Sequence, residues 1–138
     1  MTVLVDTSVI IDYLRGHHGA KEVLEGERLA APLHASEITR LEVIAGMRTN
    51  EEGGTRSFLS IFIWHPVDTL IAERAGELGR RWLPSHRSID SADLAIAATA
   101  LVTGCKLLTC NVKHFPMFTD LRKPYLKSND RDSGPIAD

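Results

Sequence analysis

The stretch Thr2-Val3-Leu4-Val5-Asp6-Thr7-Ser8-Val9-Ile10-Ile11-Asp12-Tyr13-Leu14 decides the fold. Residues 2 to 6 read as a buried strand, an apolar run ended by an acid. Thr7 or Ser8 can cap the short helix that follows through Val9, Ile10, Tyr13 and Leu14 and stops at Gly16. Working outward, the alternation repeats. A helical pattern covers about 20–27, a short strand 31–34, and a helix capped by Ser36 runs to about Arg48. Residues 49–55, with Gly53-Gly54, read as a loop, 58–62 as helical, and 63–67 as extended around Pro66. A helix from Asp68 carries Leu70, Ile71, Ala75, Leu78 and Trp82 and ends before Pro84. Asp90 caps an Ala-rich helix that reaches about Thr103 and stops at Gly104, and 106–109 form a further buried strand. Strand and helix alternating in this way predict an α/β fold, a mostly parallel central sheet with helices on both faces.

At 138 residues, with 43% hydrophobic and 25% charged residues, the chain is long enough for one core without disulfides or a structural metal. A single domain is expected over 1–126, with a disordered polar tail at 127–138. There is no apolar run near the roughly 20 residues of a membrane span. With no basic leader before Thr2, the cytoplasm is the default compartment. Cys105 and Cys110 fall on opposite faces of a strand, which argues against a disulfide, and no further Cys completes a zinc set. The formal charge of −2 argues against a strongly basic nucleic-acid surface, but the average hides the distribution. Setting Asp6, Glu42, Asp90 and Asp93 aside turns it to +2, leaving Arg15, Arg40, Arg48, Arg87 and Lys113 for a mildly basic rim. Arg80-Arg81 read as a solvated helix face, with contact to RNA phosphate as the sharper alternative. His17, His18, His34, His65 and His86 show no pairing at metal spacing, and Trp64 and Trp82 read as core or interface anchors.

Function is carried by where the acids sit. Asp6 ends the first strand, Glu42 lies beside the helical stripe Ile38, Leu41 and Ala45 and so faces inward, and Asp93 opens the run Leu94 to Ala98. A carboxylate buried without a partner costs on the order of 3 to 5 kcal/mol, so such a cluster demands cations. In open α/β sheets, sites form beyond the carboxyl ends of strands, where Asp6 and the segment 109–111 both lie. Asp90 and Asp93 share a helical face in the first turn, where the helix dipole favours negative charge. Oxygen-only ligands select Mg²⁺ or Mn²⁺ over zinc. Asp6 and Asp93 are the expected direct metal ligands, and Glu42 holds a second metal or orients the attacking water. Asn111 adds a carbonyl oxygen and Thr109 a hydroxyl, while Asp90 is ligand, support or cap only. Such a site suits in-line displacement at a phosphodiester. Asn in place of Asp6 or Asp93 is expected to leave the thermal melt intact or raised, by relieving like-charge repulsion.

Four segments together carry a family resemblance: Val5-Asp6-Thr7-Ser8-Val9-Ile10, Ile38-Thr39-Arg40-Leu41-Glu42-Val43-Ile44-Ala45-Gly46, Ile89-Asp90-Ser91-Ala92-Asp93-Leu94-Ala95-Ile96-Ala97-Ala98-Thr99-Ala100, and Leu108-Thr109-Cys110-Asn111-Val112-Lys113-His114-Phe115. In order and spacing the chain resembles the PIN-domain nucleases, and specifically the VapC toxins of type II toxin-antitoxin pairs. The resemblance implies a PIN-like three-layer fold and a Mg²⁺- or Mn²⁺-dependent endoribonuclease that leaves a 5′-phosphate. It also implies a homodimer and a hetero-oligomer with a VapB-like antitoxin whose C-terminal segment packs over the site. The family's three central acids fall on Asp6, Glu42 and Asp93, and its fourth position on Asn111, where many members have Asp. His114 stands where an acid is common and reads as a neutral surface change. The exposed side of Tyr13, Leu14 and helix 36–48 is the expected antitoxin docking surface. The alternative is a catalytically weak PIN-like module that binds RNA or antitoxin without turnover.

Overall fold

The computed structural model describes residues 2–127. Its elements run β1 (Val3–Val5), α1 (Thr7–Leu14), α2 (His18–Ala30), β2 (His34–Ser36), α3 (Glu37–Gly46), α4 (Glu52–Leu59), β3 (Ile63–His65), α5 (Thr69–Trp82), α6 (Ser91–Thr103) and β4 (Lys106–Leu108). Short 3-10 turns at Thr49–Glu51 and Val112–His114 precede α4 and follow β4. The four strands form one parallel sheet in the order β3-β2-β1-β4.

β1 lies inside this sheet, which explains its unbroken apolar run. Val3 and Val5 pack with Val9, Ile10, Leu24 and Leu59 on one face, and Leu4 packs with Ile96, Ala97, Leu107 and Phe115 on the other. A strand covered on both faces has no solvent side on which to alternate polar residues. The chain leaves β1 to lay down β2 and β3 on one side and returns to β4 on the other. The strand order therefore reverses between β1 and β4, and the crevice beyond their carboxyl ends is where such sheets hold ligands. Asp6 and Thr109 are the first residues past those two ends, and the Asp6 N–H donates to Leu108 O at 2.9 Å.

Several elements differ from the sequence reading. The expected loop at 49–55 is a 3-10 turn followed by α4, glycines included. Two glycines cost a helix roughly 2 kcal/mol, and packing offsets this: Thr55 and Leu59 are buried one turn apart, and Phe58 stacks on Tyr13 with ring centroids 4.1 Å apart. β2 spans His34–Ser36 rather than 31–34, and α2 is longer at both ends than 20–27. On α3 the buried residues are Thr39 and Val43, whereas Leu41 of the supposed inward stripe is 60% exposed. His34 and His65, read as unpaired, meet across β2 and β3 with Nδ1 and Nε2 2.8 Å apart. Burial and the neighbouring imidazole both press the His34 pKa below its ordinary value.

The chain after β4 returns across the sheet to α1. Tyr125 is buried, its Oη donates to Asp12 Oδ2 at 2.7 Å, and its ring lies against His17 and Gly19. Of the expected tail at 127–138, Lys127 alone is among the described residues, with its Nζ 3.0 Å from Asp12 Oδ2. The rest lies outside them. No described helix is long and apolar enough to cross a membrane.

Candidate active site

Asp6 occupies the N-cap position of α1 but makes no capping bond with its side chain. Instead its Oδ2 accepts from Ser8 Oγ and from Thr109 Oγ1, both at 2.7 Å. The residue is 3% exposed, and Thr109 is fully buried. Thr109 in turn accepts the Asn111 N–H at 2.9 Å, so its hydroxyl is oriented from one side and donates on the other. The short β1–α1 junction and the end of β4 thus fix one oxygen of Asp6, and among the described residues the other oxygen has no hydrogen-bond partner.

Glu42 arrives from α3, on the turn between Thr39 and Val43 that faces α1. Its Oε1 accepts from Thr7 Oγ1 at 2.7 Å, and that hydroxyl also lies 3.0 Å from Thr39 Oγ1. Burial raises the Glu42 pKa above the ordinary carboxylate range; the Thr7 hydrogen bond opposes this, and the negative charges of Asp90 and Asp6 add to it. Glu42 thus lies within electrostatic reach of both aspartates.

Asp90 and Asp93 form a reciprocal capping box at the start of α6. Asp93 N–H donates to Asp90 Oδ1 at 2.8 Å, and Asp90 N–H donates to Asp93 Oδ2 at 3.2 Å. The same Asp93 Oδ2 lies 3.1 Å from His114 Nδ1. Burial is the first cause that pushes Asp93 up to about 6, with the Asp90 carboxylate adding to it and the Asp90 backbone bond and His114 pulling back.

A common design links the three acids. Each comes from a different element and uses one oxygen to fix its rotamer on neighbouring groups; the second oxygen of Asp6 and of Glu42 has no hydrogen-bond partner among the described residues, while the Asp93 carboxyl also meets the Asp90 side chain. Two of them, Glu42 and Asp93, are raised by burial and by like charge, which a cation would relieve. The donor set is hard oxygen and suits Mg²⁺ or Mn²⁺. Among the described residues no three acid, imidazole or thiol groups gather as a ready-made ligand set. Mg²⁺ keeps several of its waters and takes one or two carboxylates directly, so it requires no closed cage.

Of the sequence-predicted residues, the structure brings Asp6 and Thr109 into direct contact, joins Asp90 to Asp93, and puts Glu42 within electrostatic reach of Asp6 and Asp90. Asn111 is different. Its side chain is exposed and bonded to none of the acids, and only its backbone takes part, through Thr109. His114, read from the sequence as a neutral surface change, instead touches Asp93. The sequence reading also missed Ser8, Thr7 and Thr39 as the hydroxyls that hold the acids. The available signal was spacing: Ser8 stands two residues from Asp6 at a helix start, and Thr39 precedes Glu42 by one helical turn.

A model of the PIN domain matches residues 3–117. Ribonuclease VapC19 of Mycobacterium tuberculosis is 45% identical over 127 residues, covering 88% of this chain and 98% of the relative. Ribonuclease VapC10 of the same organism is 42% identical over 123 residues, covering 89% and 92%. Among solved structures, a toxin-antitoxin complex from Klebsiella pneumoniae superposes with a TM-score of 0.75 at 32% identity, over 89% of this chain and 98% of that one. With those likenesses running from β1 past the last acid and its supports, the chain belongs to the PIN domain family.

Proposed function

We propose that this chain is a Mg²⁺- or Mn²⁺-dependent endoribonuclease and the toxin of a type II toxin-antitoxin pair. The observation that carries the reading is the set of three acids, one oxygen of each fixed on neighbouring groups, at the point where the strand order reverses. When bound there, a divalent cation supplies neutralisation of phosphodiester charge and acidifies water at neutral pH. Asp6 is the rigid member, held by Ser8 and Thr109, and is assigned as a direct ligand. Asp93 is the second ligand, oriented by the Asp90 cap and His114. Glu42 is positioned to accept a proton from the attacking water, and its raised pKa brings it closer to the range in which a group both takes and returns protons. Asp90 acts through Asp93, and Asn111 through the Thr109 hydroxyl.

The partner reading rests on relatives named as VapC ribonucleases and on the toxin-antitoxin complex whose chain shares the fold. A half-enclosed cavity of about 170 Å³ between α1, α3 and the segment 48–55 is lined by Ile11, Leu14, Val43 and Met47, with Arg15 and Arg48 beside them. It adjoins the helical turn that carries Glu42 and offers an apolar side chain of a VapB-like antitoxin a place to seat. The expected docking surface, Tyr13, Leu14 and α3, borders this cavity through Leu14, Val43 and Met47, and the half-buried Tyr13 ring has one face stacked on Phe58. Exposed Ile63, Val67 and Leu70 follow one another from β3 into α5 and are assigned to self-association.

The test is cleavage of total cellular RNA by purified, partner-free protein with Mg²⁺, Mn²⁺ or chelator, beside Asp93→Asn, with cut sites mapped by end sequencing. Discrete metal-dependent cuts that the variant lacks are expected. Folded protein that binds RNA but cuts nothing with either metal would overturn the nuclease and leave the binding module, which the exposed, non-acidic Asn111 favours.

A further inference from the structure

The segment 80–87, between the last turn of α5 and the cap of α6, has no part in the site described above. Arg80 and Arg87 flank a shallow, open depression completed by Gly79, Leu83 and Pro84. A Cβ added at Gly79 would lie 3.1 Å from Leu94 Cδ1, so the depression rests against Leu94 in the first turn of α6. The adjoining Arg81 guanidinium lies over the Trp82 ring at 5.2 Å, and His86 meets the same indole edge-on at 5.6 Å. Arg80, Arg81 and Arg87 are exposed, and none has a carboxylate partner among the described residues. The dipole at the end of α5 accounts for basic residues at 80 and 81. It does not account for Arg87, which lies outside any helix and converges on the same depression.

We propose that Arg80 and Arg87 form a subsite for single-stranded RNA that holds a phosphate flanking the scissile one, with Arg81 on Trp82 as the adjoining face for a base. An acid pocket in a chain of net charge −2 repels the polyanion it must admit. Guanidiniums without a carboxylate partner, on the depression that rests against α6, counter that locally, and their fork geometry fits phosphate oxygens. Stacking on an arginine plane or an indole is tolerant of sequence. The subsite therefore contributes affinity and register rather than choice of target. This inference rests on the nuclease reading and deepens it by naming where the strand is held.

The test is fluorescence anisotropy with a labelled single-stranded RNA of mixed sequence, in chelator and across a salt series, comparing wild type, Arg80→Gln/Arg87→Gln, and Arg28→Gln. Arg28 is also exposed, but on α2, which packs against the other face of the sheet. Each lost phosphate contact lowers the salt slope by about 0.7, so the double variant is expected to lose about 1.4 in slope and on the order of 25-fold in affinity at about 0.1 M salt. In Mg²⁺, its KM for RNA rises while kcat is retained, a split that a purely structural role would not produce. Unchanged affinity and slope in the double variant, or an equal loss in Arg28→Gln, overturns the subsite. Absence of cleavage by wild type with either metal would instead defeat the nuclease reading, and the binding measured in chelator tells the two failures apart.

Discussion

Replacing Asp93 with Asn tests whether the site holds charge at the expense of the fold. Asp93 is 8% exposed, and burial pushes its pKa from 3.8 to about 6, a displacement equivalent to about 3 kcal/mol between the ionised and neutral forms. Because the folded pKa lies above the unfolded one, the folded state binds more protons between about pH 4 and 6. Stability tied to this group is therefore present below about pH 4 and lost as pH rises through about 6. The amide that replaces the carboxylate in Asp93→Asn cannot ionise, keeps an oxygen for the Asp90 N–H, and gives up the attraction to His114. The expected net gain is about 1 to 2 kcal/mol at pH 8, or roughly 3 to 8 °C in Tm for a chain of this size. The assay is thermal unfolding in chelator from pH 4 to 8, repeated with Mg²⁺. The variant should melt above wild type at pH 8 and nearly with it at pH 4. Mg²⁺ at 100 times its Kd should stabilise wild type by about 2.7 kcal/mol and the variant far less. A variant that melts below wild type at pH 8, or a difference that does not shrink on acidification, would refute the reasoning.

Three further outcomes follow from the same contacts. Thr109→Val keeps the shape but leaves Asp6 Oδ2 short of a donor and the Asn111 N–H without its acceptor; about 1 to 3 kcal/mol of stability and on the order of tenfold in cleavage should be lost, read by melting and by rate. Mg²⁺ affinity, measured by calorimetry, should rise with pH up to about 6, by close to tenfold per pH unit below it, because Asp93 must be ionised to bind; a flat profile would remove Asp93 from the ligand set. Gly104→Ala forces a side chain into the left-handed cap of α6 at φ +73°; about 1 kcal/mol should be lost in melting with cleavage unchanged, since the cap lies at the far end of the helix from Asp93.

How legible the molecule was depends on whether local pattern and tertiary demand agree. In β1 and α6 they agree: β1 is covered on both faces, and α6 carries a capping box at one end and a left-handed glycine at the other. On α3 they conflict. Its inner face lines the acid cleft, so the buried positions include the polar Thr39 and its neighbour Glu42, while Leu41 points outward. Hydrophobic periodicity marks the helix there but selects the wrong side. At 49–59 the glycines argue for a loop, and only contacts remote in sequence, such as Phe58 on Tyr13, reveal why a helix forms. The contacts of His34 with His65 and of His114 with Asp93 are likewise set by strand register and by the return of the chain after β4. The acids themselves were legible because burying a carboxylate is costly enough to betray a purpose, whereas the hydroxyls that hold them resemble ordinary helix caps.

The two aspartates at the centre are buried by different means, and the difference divides their roles. Asp6 receives two short hydroxyl bonds on one oxygen, from α1 and from the end of β4, so its position is fixed whether or not a cation is near. Asn at that position could keep those donors on its carbonyl but would present amide hydrogens where the open oxygen stood. The expectation that Asn leaves the melt intact or raised therefore takes its first form at Asp6 and its second at Asp93. Asp93 has one capping bond and one imidazole against the burial and like charge that lift it to about 6. Its compensation is incomplete without an added cation. On the proposed reading, a site built from one fully supported acid and one under-supported acid would hold its geometry when empty and gain most when a divalent ion binds. The proposed metal role would then have the fold give up stability at Asp93 in exchange for affinity, the trade expected where function requires a charge that packing alone does not neutralise.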